Sequence, residues 1–113
     1  RWGGAICLRQ DSNQSTTLNM RGGEISGNRA TKEGGAVHVL DKDCMFYLYD
    51  GKITGNTSGD GGAIYLNQEP SWLIMQGGEI SGNTATGNGG GVSMIHKSIL
   101  VIFFNPSIVF CNI

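Results

Sequence analysis

The chain is short of charge, of patterned cysteine and of long apolar runs, and each shortage removes a class of function. Charged residues make up 15% of the 113 and the net charge is −1, so there is no basic stripe to hold DNA, RNA or an anionic lipid surface. No run approaches the ~18 apolar residues that a bilayer-spanning helix needs. The segments 98–104 and 107–110 are apolar, but Asn105 and Pro106 interrupt them. Cys7, Cys44 and Cys111 form an odd set with no C-x-x-C or Cys/His spacing, which argues against a disulfide framework or a zinc site. A helical period is missing too, since apolar residues nowhere recur every three to four positions.

What the chain has is a repeat. Gly-Gly-Glu-Ile-Ser-Gly-Asn occupies residues 22–28 and again 77–83, with the variant Asp-Gly-Lys-Ile-Thr-Gly-Asn at 50–56. The starts at 22, 50 and 77 lie 28 and 27 residues apart. A second phrase, Gly-Gly-Ala-Ile/Val, starts at Gly3, Gly34 and Gly61, and as Gly-Gly-Gly-Val at Gly89. A unit this small cannot bury its own apolar face and must stack on its neighbour.

Alignment by the period gives columns. One holds Ile25, Ile53, Ile80 and Ile108; another Ile6, Val37, Ile64 and Val92, with Leu8, Val39, Leu66 and Met94 two residues on. A third segment gives Leu18, Phe46, Leu73 and Val101, then Met20, Leu48, Met75 and Phe103. Apolar residues two apart signal strands with alternate side chains on opposite faces. Three short strands per turn, separated by Gly- and Asn-rich corners, predict an all-β, right-handed parallel β-helix of about four turns. Residues 1–113 read as one domain, with 95–113 a degenerate last turn.

The corners fit this picture. Paired glycines recur where the chain must bend sharply or take positive φ. Asn28, Asn56 and Asn83 share a column, and stacked amides one strand spacing apart can bond as a ladder. The outward column Glu24, Lys52, Glu79 alternates in sign, which favours the same register.

These tandem phrases resemble the repeats of bacterial cell-surface β-helix proteins, namely the polymorphic outer-membrane-protein type and related pectin-lyase-like solenoids. The resemblance runs from residue 1 to about 94. It implies an extracellular or cell-surface location and a scaffold that hosts adhesins, autotransporter passengers, polysaccharide lyases and tailspikes, so function must be argued from surfaces.

Chemistry is sparse on those surfaces. β-Helix lyases and hydrolases need clustered carboxylates, or a calcium site beside an Arg or Lys. Asp41 and Asp43 are the one close pair of aspartates, in a loop, and Ser58-Gly-Asp60-Gly-Gly resembles a calcium nonapeptide that is not repeated in tandem. Both read better as corner chemistry than as a metal or acid–base site. His38, outward beside Val37 and Val39, and His96, in a loop, read as ordinary surface histidines. The glycine pairs precede strands, not helices, so they are not phosphate cradles. Thr54, Thr57, Thr84 and Thr86 form no continuous ice-binding array. No catalytic residue, metal or cofactor is expected.

The outer face of the middle strand is different. Its outward columns run Thr17, Asn19, Arg21, then Met45, Tyr47, Tyr49, then Trp72, Ile74, Gln76, then Leu100, Ile102, Phe104. Contiguous outward aromatics and aliphatics over three turns call for a partner. Tyr47, Tyr49, Trp72, Ile74, Ile102 and Phe104 are therefore the candidate interaction face, with packing against a copy or adjoining domain ranked above binding of a carbohydrate. Neither end carries a cap, and the chain opens at Arg1 directly in a Gly-Gly-Ala corner. This points to a piece of a longer chain or to copies that stack end to end. The expected function is a non-enzymatic structural or adhesive surface or filament module; a carbohydrate-binding or polysaccharide-cleaving β-helix is the alternative.

Overall fold

A computed structural model describes residues 4–67, 70–87, 89–94, 99–102 and 109–110. Every regular element among them is a strand: β1 (Ile6–Leu8), β2 (Thr17–Ser26), β3 (Val37–Val39), β4 (Met45–Thr54), β5 (Thr57–Ser58), β6 (Ile64–Leu66), β7 (Trp72–Met75), β8 (Glu79–Ser81), β9 (Thr84–Ala85), β10 (Val92–Met94), β11 (Ile99–Ile102) and β12 (Val109–Phe110). They form a parallel β-solenoid of about three turns. One sheet stacks β1, β3, β6 and β10; a second runs β2, β4, then β7 with β8, then β11 with β12; a short third joins β5 to β9. Four rungs in the first sheet enclose three periods, Ile6 to Val92, which is why the turn count falls one short of the expected four.

The registers of the first three rungs are those the repeat dictates. Ile6 pairs with Val37, Val37 with Ile64 and Ile64 with Val92. Phe46 pairs with Leu18 and Leu73, and Ile53 with Ile25 and Ile80. Each column turns inward, so Val37, Val39, Phe46, Leu48, Ile53, Ile64, Leu66, Leu73, Met75 and Ile80 are fully buried. Like residues stack on like one strand spacing apart (about 4.8 Å), and the core is a pile of short ladders rather than a single plug.

Two expectations change. The Gly-Gly-Glu-Ile segment is not a separate strand in the first two turns. It continues the preceding one, so β2 and β4 are each ten residues long. Gly23 and Gly51, at φ 81° and 112°, bend these strands, and the pairing of β2 with β4 carries bulges between Met20 and Glu24. A bulge turns the ladder without ending it. The last turn is also out of step with the columns above. Leu100 pairs with Leu73 and Ile102 with Met75, one residue earlier than Val101 and Phe103, while Phe110, not Ile108, pairs with Ile80. The stretch between the two pairings is longer in this turn than in the one before it. Phe103 and Ile108 lie outside the described residues.

The asparagine column is a hydrogen-bonded ladder. Asn56 Oδ1 accepts from Asn28 N at 2.9 Å and Asn28 Nδ2 at 3.1 Å; Asn83 Oδ1 accepts from Asn56 N and Asn56 Nδ2, both at 2.9 Å. The amides reach the backbone as well, with Asn56 Nδ2 donating to Ile25 O and Thr54 O, and Asn83 Nδ2 to Ile53 O and Ser81 O. Asn56 and Asn83 are buried, so their amides satisfy corner carbonyls that would otherwise be desolvated without partners.

Candidate functional site

The outer side of the second sheet carries the aromatic face. Alternation along β4 sends Met45, Tyr47 and Tyr49 outward opposite the buried Phe46 and Leu48, and parallel pairing sets Met45 beside Trp72 and Tyr47 beside Ile74. The Tyr47 and Tyr49 rings stack with centroids 5.9 Å apart and planes 9° from parallel. The Arg21 guanidinium lies 4.3 Å from the Tyr49 centroid, and Tyr47 Oη donates to Met45 Sδ at 3.7 Å. Cation, ring, ring and thioether thus form a row whose quadrupoles are matched internally. Met45, Tyr47, Tyr49 and Trp72 are half-buried, and Ile74 is 8% exposed.

Tyr47, Tyr49, Trp72 and Ile74 are brought together, but the register moves Ile102 out of their column: it pairs with Met75, a core position, not with Ile74. Phe104 lies outside the described residues. Arg21 and Met45 join the row although their residue types gave little sign of it; the cue available was that they share outward columns with the tyrosines.

Beside this row a groove of about 540 Å³ runs along the bend, lined by Gly22, Gly23, Glu24, Asp50, Gly51, Lys52 and Glu79. Glu24, Lys52 and Glu79 stack in register as the sign alternation implied. Their carboxylates nevertheless turn to hydroxyls: Glu24 Oε1 accepts from Thr54 Oγ1 at 3.4 Å and Glu79 Oε1 from Ser81 Oγ at 2.6 Å. The aspartates are dispersed. Asp41 Oδ2 accepts from Gln10 N at 2.8 Å and meets Arg9 at 3.6 Å, tying two loops together. Asp43 sits at φ 62° in a turn, and Asp60 faces Glu33 across a parallel bridge. Among the described residues no three His, Cys, Asp or Glu side chains are grouped to hold a metal.

His38 is not the surface histidine that alternation suggests. Cys7, His38, Tyr65 and Ser93 form one outward column on the first sheet, yet His38 is 0% exposed and Tyr65 5%. The two rings meet edge to face at 5.2 Å. Neither ring nitrogen of His38 has a hydrogen-bond partner among the described residues, nor does the buried Oε2 of Glu33. Burial drives the His38 pKa down to about 4, against a weaker upward pull from Asp41. Burial, with help from Glu33 and Asp60, raises that of Tyr65. Because the folded pKa of His38 lies below its unfolded value, its contribution to stability is complete above pH 6.5 and is lost as pH falls from 6.5 towards 4. That drop corresponds to about 3 kcal/mol. Urea unfolding at pH 7 and pH 4 should show a larger acid loss for the wild type than for His38→Phe; equal losses would contradict this burial.

Fold and faces together define the class: a parallel β-solenoid repeat protein whose columns, corners and amide ladder are built by a short tandem phrase. Residues 22–39 and 50–67 match the Chlamydia polymorphic membrane protein repeat, so the chain is a β-helix repeat protein with units similar to that repeat. Each matched unit begins at the bend of a long strand, passes the ladder asparagine and ends with a strand of the first sheet, so the sequence repeat and the structural turn coincide. No curated protein and no solved structure matches the chain. Among the described residues no helix is long and apolar enough to cross a membrane.

Proposed function

We propose that the chain is a non-enzymatic structural and adhesive module displayed at the bacterial cell surface. Its work is to hold a rigid, laterally sticky face away from the membrane. The observation that carries this reading is the solenoid built from a polymorphic-membrane-protein repeat. The half-buried face formed by Tyr47, Tyr49 and Trp72 is the contact surface for a neighbouring copy or domain. Sugar binding fits it less well, because Tyr47 stacks on Tyr49 and Arg21 lies over it, whereas a sugar platform needs a ring face left open.

Antibody against the purified chain should label intact source cells; labelling only after permeabilisation would overturn surface display. Beads coated with the chain should clump, and beads coated with Trp72→Glu should clump several-fold less while the strand signature in circular dichroism stays unchanged. Equal clumping would remove the face from the proposal, and release of soluble sugar from a polysaccharide by the chain would replace adhesion with catalysis.

A further inference from the structure

We infer that Asp50 is a site of spontaneous covalent modification, where the chain at the bend of β4 isomerises through a succinimide to isoaspartate. The chain has two Asp-Gly pairs, Asp50-Gly51 and Asp60-Gly61. A glycine after aspartate leaves the next backbone nitrogen unshielded by a Cβ. The fold treats the two pairs in opposite ways.

Asp50 is exposed, and Gly51 N donates to its Oδ1 at 2.8 Å. Arg21, its partner across the strand pair, lies over the Tyr49 ring instead of pairing with the carboxylate. The bend also takes Gly51 out of the ladder. Pairing with β2 passes from Asp50 to Lys52, and pairing on the other side passes from Leu48 with Met75 to Lys52 with Glu79, so Gly51 has no partner in either register. Its φ is 112°. The nitrogen that attacks in isomerisation is thus held against the carboxyl group it attacks, with no strand to retain it, and such positioning removes most of the entropic barrier to ring closure.

Asp60 is held elsewhere. It is half-buried and bridged to Glu33, and its main-chain carbonyl accepts from Gly34 N at 2.9 Å and Ser58 Oγ at 2.6 Å. Its Oδ1 lies 2.2 Å from where a Cβ on Gly87 would stand, so this carboxylate is directed at the next turn.

In the step itself Gly51 N bonds to Asp50 Cγ. The nitrogen gives up its proton, the carboxyl its hydroxyl, and water leaves. Solvent water then opens the ring at either carbonyl. Opening at Cγ restores aspartate; opening at the former peptide carbonyl leaves the main chain running through Cβ and Cγ, with the old main-chain carboxyl as the side group. No other reactant is needed. The product adds a backbone atom where there is no room for it: a Cβ on Gly51 would lie 2.7 Å from Met20 Cε and 2.9 Å from Gly23 O, and one on Gly78 2.8 Å from Gly51 O. The modified bend is therefore less stable, and its free carboxyl is the group that an isoaspartyl methyltransferase esterifies.

This rests on the fold alone, independently of surface display and of the aromatic face. The purified 113-residue chain is incubated for weeks, folded in buffer and unfolded in urea. Isoaspartate is located by peptide mapping and by enzymatic methyl transfer, since isomerisation leaves the mass unchanged. Deamidation at Asn88-Gly89, whose asparagine lies outside the described residues, changes the mass and is told apart by it. In urea Asp50 and Asp60 should age alike. In buffer Asp50 should accumulate isoaspartate severalfold faster than Asp60, and Asp50→Glu should accumulate none at that position while keeping its strand signature. The aged wild type should unfold at lower urea than the fresh chain. Equal rates at Asp50 and Asp60 in buffer, or isoaspartate at Asp50 in urea alone, would overturn the inference.

Discussion

Gly35→Ala is expected to abolish the fold, although it adds a single methyl at a residue with an ordinary negative φ. A Cβ at position 35 would lie 2.2 Å from Gly62 O, 2.8 Å from Thr57 O and 3.0 Å from Thr57 C. All three are backbone atoms of the next turn, so no side-chain rotation relieves the overlap. The same holds one turn either way, with Gly4 meeting Gly35 O at 2.3 Å and Gly62 meeting Gly90 O at 2.2 Å. The second glycine of each Gly-Gly-Ala phrase is thus where successive turns come closest, and a methyl there must push the turns apart. That breaks the bonds Gly35 N to Gly61 O and Val37 N to Ala63 O and shifts the pairing of β3 with β6. Overpacking that side chains can absorb costs about 1–3 kcal/mol; here the backbone of two turns must move, and the loss should exceed that range. The control is Gly55→Ala. Its φ is +65°, but its Cβ would find only Gly27 N, at 3.9 Å, so it should cost about 1–2 kcal/mol. Far-UV circular dichroism and urea unfolding of the two variants check the contrast, and comparable stability would mean that the turns are not packed this tightly.

The sequence carried the solenoid because the period acts on columns. Ile25, Ile53 and Ile80 recur at 28 and 27 residues, and no other fold stacks them in register. It also carried the amide ladder, since Asn28, Asn56 and Asn83 fall in one column. It did not carry the last turn's register. Ile108 matches Ile80 by residue type, but the strand before it returns after 27 residues, Met75 to Ile102, and the next pairing after 30, Ile80 to Phe110. Residue type cannot locate the added length. Ile102 pairs with Met75 and not with Ile74 for that reason. His38 shows a second limit. Alternation gives the side of the sheet from which a side chain leaves, but not what lies over that side, so an outward histidine proved fully buried. The signs of Glu24, Lys52 and Glu79 likewise fixed a register without fixing an ion pair.

Asn56→Ala should be the most damaging change in the interior. The side chain is fully buried and occupies the middle of the ladder. Its removal leaves Asn28 N without its acceptor and Asn28 Nδ2 with Ser26 O, takes the donor from Ile25 O and Thr54 O, and removes the side-chain donor to Asn83 Oδ1. Each buried group left unpaired costs about 1–3 kcal/mol, so a loss of roughly 4–6 kcal/mol is expected. This is a large part of the ~5–15 kcal/mol that holds a domain together. Asn28→Ala bears on a half-buried residue at the end of the ladder and should cost about 1 kcal/mol. The two variants separate the ladder from the general loss of an amide: urea midpoints should differ widely, and hydrogen exchange at Asn28 N should accelerate in Asn56→Ala while the central strands of any folded fraction stay protected. If Asn56→Ala and Asn28→Ala were equally mild, water would be satisfying the corner carbonyls, and the inward apolar columns alone would hold the turns together.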